Sequence, residues 1–384
     1  MADEPQTPLR LDSTAPVRED NPRADAEDDA DEEMPRMVLT RRTMLALGLF
    51  VVSAVAFLYF VLPKIAGLDE TWDRVRHGAP GWLLLAAGLE LLSFGGYVML
   101  FRTVFVRPGG GGKPIGWRVS YEITMAGVAA TRLFAAAGAG GIALTAWALR
   151  RSGMERRIVA CRMVAFLVIL YAVYMAALVI CGLGLRFKIL EGSSPFPLTV
   201  LPAMLAGGVI VAMLLMTLVP GDFERRLVGW AGYGGRRARW LRRAAGVPAS
   251  VASGVRTAIA ILRSGDPRLL GAIAWWGFDI GVLWASFHAF GPAPPTAVLV
   301  MGYFVGMVAN TLPLPGGVGA VDGGLIGCFI AFGVDSGLAV VAVLVYRAFA
   351  FWLPTLPGAI AYLQLRRRVG RWREPSVSPG VATV

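Results

Sequence analysis

Charge is scarce in this sequence, and lysine is scarcer still. Charged residues make up 16% of the chain against 56% hydrophobic, with a mean hydropathy of +0.60. A water-soluble protein of this length would not look like this, so a soluble enzyme is excluded. Of 37 basic residues only Lys64, Lys113 and Lys188 are lysine. The excess of Arg, Ala and Gly points to a GC-rich bacterial genome. Histidine occurs only as His77 and His288, neither with Cys or carboxylate partners at metal-ligand spacing. Cys161, Cys181 and Cys328 fall in apolar runs without such spacing, where cysteine behaves as a small hydrophobe. No Gly-x-Ser-x-Gly elbow and no phosphate-binding P-loop are present. Gly138-Ala-Gly-Gly has no strand before it, so it is not a nucleotide loop. No metal and no cofactor are expected.

What is abundant is apolar sequence in runs. Several reach the ~20 residues a membrane-spanning helix needs. The expected fold is all-α: a polytopic membrane protein of about 8–9 transmembrane or half-membrane helices. The net charge of +11 does not read as nucleic-acid binding, because the arginines are spread over loops beside apolar spans. That is the pattern of membrane orientation. Basic juxtamembrane loops also attract anionic lipid, at ~1 kcal/mol per charge. Membrane lipids are therefore the expected partners.

Residues 1–43 are polar and acidic, as in Asp25-Ala-Glu-Asp-Asp-Ala-Asp-Glu-Glu33, and are expected to be disordered. The helical membrane domain is expected over 44–368, with a short tail over 369–384. Spans are read at 44–62, 81–101, 158–184, 198–219, 269–290 and 296–311, with helices at 320–333 and 337–366. Pro354 and Pro357 are expected to kink the last of these. Residues 119–149 read as an inward-packed hairpin: a helix to about 134, a break, and a short helix back. Residues 220–268 read as a long basic cytoplasmic loop. Arg41-Arg42 and Arg366-Arg-Arg place both termini in the cytoplasm by the positive-inside rule. The expected location is the bacterial inner membrane.

The stretch around which the chain is organised is Leu312–Leu325, Leu-Pro-Leu-Pro-Gly-Gly-Val-Gly-Ala-Val-Asp-Gly-Gly-Leu. Pro313 and Pro315 remove backbone donors; Gly316, Gly317 and Gly319 remove Cβ atoms. A regular helix is not expected over 312–319. Asp322 adds a carboxylate. Irregular backbone at membrane depth survives only packed in protein or lining a wet cavity, and an ionisable residue there is a functional-site hypothesis. The alternative is a helix–helix turn at the bilayer surface, since Pro-Gly-Gly is also ordinary turn chemistry.

This stretch resembles the signature of the lysylphosphatidylglycerol synthase transmembrane-region family, flippase-like membrane proteins. Tyr346-Arg347 followed by Phe351-Trp352-Leu353-Pro354 is similar to that family's last helix. The resemblance covers roughly residues 44–368. The family's acid is usually Glu; Asp322 keeps the charge and shortens the reach. The resemblance implies translocation or handling of an anionic or head-group-modified lipid, derived from phosphatidylglycerol. It implies no aminoacyl transfer by this chain, since that activity belongs to a separate soluble domain.

The two halves carry similar marks in the same order. Glu90 pairs with Asp279, Val128-Ala-Ala-Thr131 with Val308-Ala-Asn-Thr311, Gly138-Ala-Gly140 with Gly317-Val-Gly319, and Arg162 with Arg347. The separations are 189, 180, 179 and 185 residues. With the topology above, the halves form an inverted-topology repeat, whose broken helices meet near the midplane. Glu90, Arg132, Arg162, Asp279, Asp322 and Arg347 lie within apparent spans. Each costs ~2.5–3.5 kcal/mol at a helix centre, so they should face one another or a polar path. Asp322 and Arg347 are expected to pair. The rival readings are a membrane-embedded lipid transferase using the midplane carboxylates, and a non-transporting scaffold for an envelope-synthesis protein.

Overall fold

The computed structural model describes residues 78–106, 114–133, 139–218, 251–312, 317 and 319–372. The acidic segment 1–43, the first expected span 44–62, and Pro313, Pro315 and Gly316 lie outside them. The described residues are helical throughout, with no strand among them.

Among the described residues, five helices are long and apolar enough to cross a membrane. The first, α1 (Pro80–Phe105), starts with proline at its N-terminus, where a missing N–H costs nothing. Two short helices follow, α2 (Trp117–Leu133) and α3 (Ala139–Arg151). The long α4 (Arg156–Arg186) and α5 (Phe196–Met216) pack on each other as a hairpin. Residues 251–263 form the helix α6. After a 3-10 turn at Pro267–Leu269 comes α7 (Leu270–Phe290). The short α8 (Thr296–Met307), which runs on into a 3-10 turn at Val308–Thr311, and α9 (Ala320–Ala331) flank the Pro-Gly stretch. The chain closes with α10 (Ser336–Arg347), a π turn at Ala348–Trp352, and α11 (Leu353–Trp372).

Two expectations are corrected. Residues 220–268 are not one loop, because 251–263 are helical and bury Ala252, Val255, Ala258 and Ile261. The small and β-branched residues one turn apart give α6 an apolar stripe. Cys161 Sγ of α4 contacts Ser253 Oγ at 3.5 Å and Thr257 Oγ1 at 3.1 Å on that helix. The irregularity in the final helix also begins earlier than its prolines: the backbone widens into the π turn before reaching Pro354. Proline lacks the N–H that would bond the carbonyl four residues back, and the helix reorganises on that side.

The two halves share one plan: a long helix, a short hairpin, then a long helix. The long helices α1 and α7 run antiparallel and make the most extensive helix pair among the described residues. Ala79 N–H, before α1, donates to Ala289 O near the end of α7 at 3.0 Å. Further along, Ser93 Oγ donates to Trp275 O at 2.8 Å. Gly96 and Gly271 let the backbones approach: a Cβ on Gly96 would sit 2.7 Å from Ala274 Cβ. Antiparallel equivalent helices are what an inverted repeat requires.

The hairpins repeat as well. Helix α2 packs on α3, and α8 on α9. Gly127 faces Gly141 in the first hairpin, and Gly306 faces Gly324 in the second. A Cβ on Gly324 would lie 2.8 Å from Gly306 O. The 13 residues of α3 and 12 of α9 span about 20 Å and 18 Å at 1.5 Å per residue. Neither crosses a hydrocarbon core of ~30 Å. The hairpins follow the C-terminal ends of the antiparallel α1 and α7, so they start from opposite ends of that pair.

Candidate functional site

Buried charges lie near the centres of α1 and α7, in the first turn of α9 and at the end of α10. Among buried polar residues are Glu90 (3% exposed), Asp279 (9%), Asp322 (1%) and Arg347 (8%). Asp322 stands at the third position of α9 and does two things. Its Oδ2 accepts the Gly319 N–H at 2.7 Å, holding the helix entrance. Its Oδ1 lies 2.8 Å from Arg347 Nε. Acid in the first turn of a helix satisfies backbone donors and complements the dipole. The shorter Asp side chain suits that local reach. Gly319 has φ 82° and Gly317 φ 63°. A Cβ on Gly317 would meet Val321 Cγ2 at 2.6 Å and Asn310 Oδ1 at 2.9 Å, so conformation and space both require glycine there.

Arg132, at the end of α2, reaches across to the other half. Its Nη2 donates to Ala350 O at 2.6 Å and its Nη1 to Phe351 O at 3.0 Å. Both carbonyls belong to the π turn. Ala350 O is the one Pro354 would serve in a regular helix, and proline has no N–H to offer. The guanidinium supplies a donor to Ala350 O in its place and sits over the Phe351 ring at 5.4 Å. Arg347 Cζ lies 4.5 Å from the same Phe351 centroid.

Asp279 accepts hydrogen bonds from Tyr303 Oη, at very short range, and from Tyr346 Oη at 2.9 Å. The antiparallel register set by Ala79 on Ala289 and Ser93 on Trp275 brings Glu90 of α1 level with Asp279 of α7. Arg132 Cζ lies 5.8 Å from the ring of Phe94, one turn along α1 from Glu90. Arg347 directly follows Tyr346, which bonds Asp279. Glu90 Oε2 is buried without a regular hydrogen-bond partner. Five of the expected site residues, Glu90, Arg132, Asp279, Asp322 and Arg347, therefore converge.

Arg162 does not join them. Its Nη1 donates to Phe105 O at 2.9 Å, at the C-terminal end of α1. A cation there satisfies an end carbonyl and the helix dipole. Sequence reasoning missed Tyr303 and Tyr346 as ligands of Asp279. The signal was there for Tyr346, directly beside Arg347 inside an apolar run. It also missed Glu122, fully buried on α2 and gripped by Arg368 of α11 through Nε (2.7 Å) and Nη2 (2.8 Å). Arg118 adds a contact at 3.2 Å. That bidentate latch fastens the last helix to the first hairpin.

Paired half-length hairpins, antiparallel equivalent helices and a buried charge cluster between them define a polytopic membrane protein of the inverted-repeat kind. A profile of the lysylphosphatidylglycerol synthase TM region matches residues 45–358. The chain belongs to that family. It is 25% identical over 334 residues to a UPF0104 membrane protein of Methanothermobacter thermautotrophicus, covering 82% of this chain and 93% of the relative. A match to another sequence of that description and organism is 35% identical over 91 residues, covering 23% of this chain and only 26% of the relative. No solved structure matches the chain.

Proposed function

We propose that this membrane protein is flippase-like and passes an anionic or head-group-modified lipid between its two halves. One observation carries the reading: half-length hairpins that start from opposite ends of the α1–α7 pair meet at a buried cluster containing two guanidiniums. A planar guanidinium bonds two phosphate oxygens at once, which suits a lipid head group. Broken helices add backbone donors at the same depth. Pro313, Pro315, Gly316, Gly317 and Gly319 are the proposed approach for the head group, with Asp322 holding Arg347 in place. The family's description favours phosphatidylglycerol derivatives.

The proposed setting is the bacterial inner membrane with both termini cytoplasmic, from the arginine asymmetry. Cysteine tags at Ser376 and Ser194 should then label from opposite sides; labelling from one side refutes the orientation. The functional test is a lipid-flip assay in proteoliposomes across several head groups, with Asp322→Ala as control. Flipping of phosphatidylglycerol or its derivatives, lost in the variant, supports the reading. Lipid modification by the purified chain would favour the transferase alternative. Absence of any flipping, with a co-purifying envelope-synthesis protein and indifference to Asp322→Ala, would favour the scaffold.

A further inference from the structure

Among the described residues, the charge cluster does not balance with every group ionised. Glu90, Asp279 and Asp322 supply three negative charges; Arg132 and Arg347 supply two positive ones. The residual negative charge is buried in the membrane interior, where it is expensive. Asp322 is committed to Arg347 and to the Gly319 amide. The imbalance therefore falls on Glu90 and Asp279, two acids facing each other at the seam between the halves.

Among the described residues, the helices packed around the two acids bring the following groups. Helix α2 brings Arg132, whose guanidinium is already on Ala350 O and Phe351 O. Helix α8 brings Tyr303 and α10 brings Tyr346, both donating to Asp279 Oδ2. Helix α10 also brings Arg347, and α9 brings Asp322. Helix α4 places Tyr171 and Tyr174 beside Trp276, and its Arg162 at the far end of α1. Glu90 Oε2 is left buried with no regular partner. Two buried carboxylates level with each other on adjoining helices cannot both stay charged at low cost. A proton cancels the excess charge and needs no ligands beyond the two carboxyl groups.

We infer that Glu90 and Asp279 form a proton-binding site at the interface of the two repeats, holding one proton between two carboxyl groups. The site sits one side chain away from the guanidinium that caps the π turn. When the proton leaves, Glu90 becomes the ionic partner of Arg132 and draws it off Ala350 and Phe351. Proton occupancy is thereby tied to the contact that links the first hairpin to the last helix. The link to lipid movement rests on the lipid-handling reading; the proton site does not.

The test is infrared spectroscopy of the full-length protein in zwitterionic nanodiscs at neutral pH. A protonated-carboxyl C=O stretch, shifting in heavy water, is expected in the wild type. It should disappear in Glu90→Gln and in Asp279→Asn and persist in Glu122→Gln. Isotope labelling of glutamate and aspartate carboxyls assigns the band in the wild-type chain should a variant fail to insert. A wild-type spectrum with carboxylate bands alone, or a band unchanged in both variants, overturns the inference. A parallel arm measures flipping of labelled phosphatidylglycerol under an imposed pH gradient. Acceleration by the gradient in the wild type, lost in Glu90→Gln, supports the coupling; gradient-independent flipping overturns it. A carboxyl band with no flipping of any lipid removes the lipid reading and leaves the proton site standing.

Discussion

The two hairpins share a fold and differ in where they send their charge. The first hairpin ends α2 with Arg132, and that guanidinium leaves its own half to hold the π turn of the other. The second hairpin begins α9 with Asp322, and that carboxylate stays at home, on Gly319 and Arg347. One hairpin is a bridge and the other is a closed unit. The same asymmetry runs through the paired arginines: Arg162 reaches the end carbonyl of α1, while its counterpart Arg347 takes a carboxylate. Inverted repeats thus supply two equivalent frameworks, on which the halves have acquired different chemistry.

The largest effect should come from opening the closed unit. Asp322→Ala leaves Arg347 buried without its carboxylate, a loss of about 3–5 kcal/mol for a broken buried pair. Unfolding in detergent should show it directly. Removing both partners, as Asp322→Ala with Arg347→Met, should cost less than Asp322→Ala alone. Strict additivity of the two single losses would mean that the pair does not act as a unit.

The hairpin glycines come next. Gly306→Val forces a side chain against Leu325 Cα, 2.7 Å from where a Cβ would sit. Backbone cannot give way as a flexible side chain does, so a loss near the upper end of the ~1–3 kcal/mol overpacking range is expected. Gly81→Val, with nothing within 4 Å of its Cβ, is the matched control and should change stability little. Equal losses at both positions would refute close packing within the hairpin.

Much of this framework was legible in the sequence, and the reasons are physical. Long apolar runs announce spans, because lipid imposes a length. The hairpin at 119–149 showed as weak hydropathy with a small-residue break, and the structure has α2 and α3 on either side of it. The Asp322–Arg347 contact was expected from the cost of isolated buried charge, and the two atoms lie 2.8 Å apart. What was not legible depends on side chains meeting across the halves. Nothing near Arg132 in sequence reveals that its partners are carbonyls over 200 positions on. Helix α6 hid inside an arginine-rich segment, where charge count outweighed its apolar stripe. The π turn was masked by the prolines that follow it.

The bridge itself is the third test. Arg132→Met keeps much of the length and removes the donors to Ala350 O and Phe351 O. Leaving buried carbonyls unserved costs about 1–3 kcal/mol. Arg132→Lys should recover only part of this, because one ammonium cannot reproduce a planar fork. Hydrogen exchange confined to residues around 348–356 would report the loosening locally. Unchanged protection there would mean that the bridge does not hold the π turn.

The smallest effect is also the most diagnostic of why the bridge exists. If Arg132 stands in for the backbone donor that Pro354 lacks, restoring that donor should make the arginine less necessary. Pro354→Ala supplies an N–H four residues after Ala350, in position to serve its carbonyl in a regular helix. The single change should shift stability little, by less than about 1 kcal/mol, since a gained bond is offset by reshaping the π turn. The informative quantity is the coupling in a double-mutant cycle. Arg132→Met should cost less in the Pro354→Ala background than in the wild type, because Ala350 O is then served from within the helix. Phe351 O keeps the Thr355 hydroxyl at 2.6 Å in either case, so the relief should concern Ala350. A cost for Arg132→Met that is the same in both backgrounds would show that the arginine serves the charge cluster rather than the proline, and the bridge would have to be explained by Glu90 and Asp279 alone.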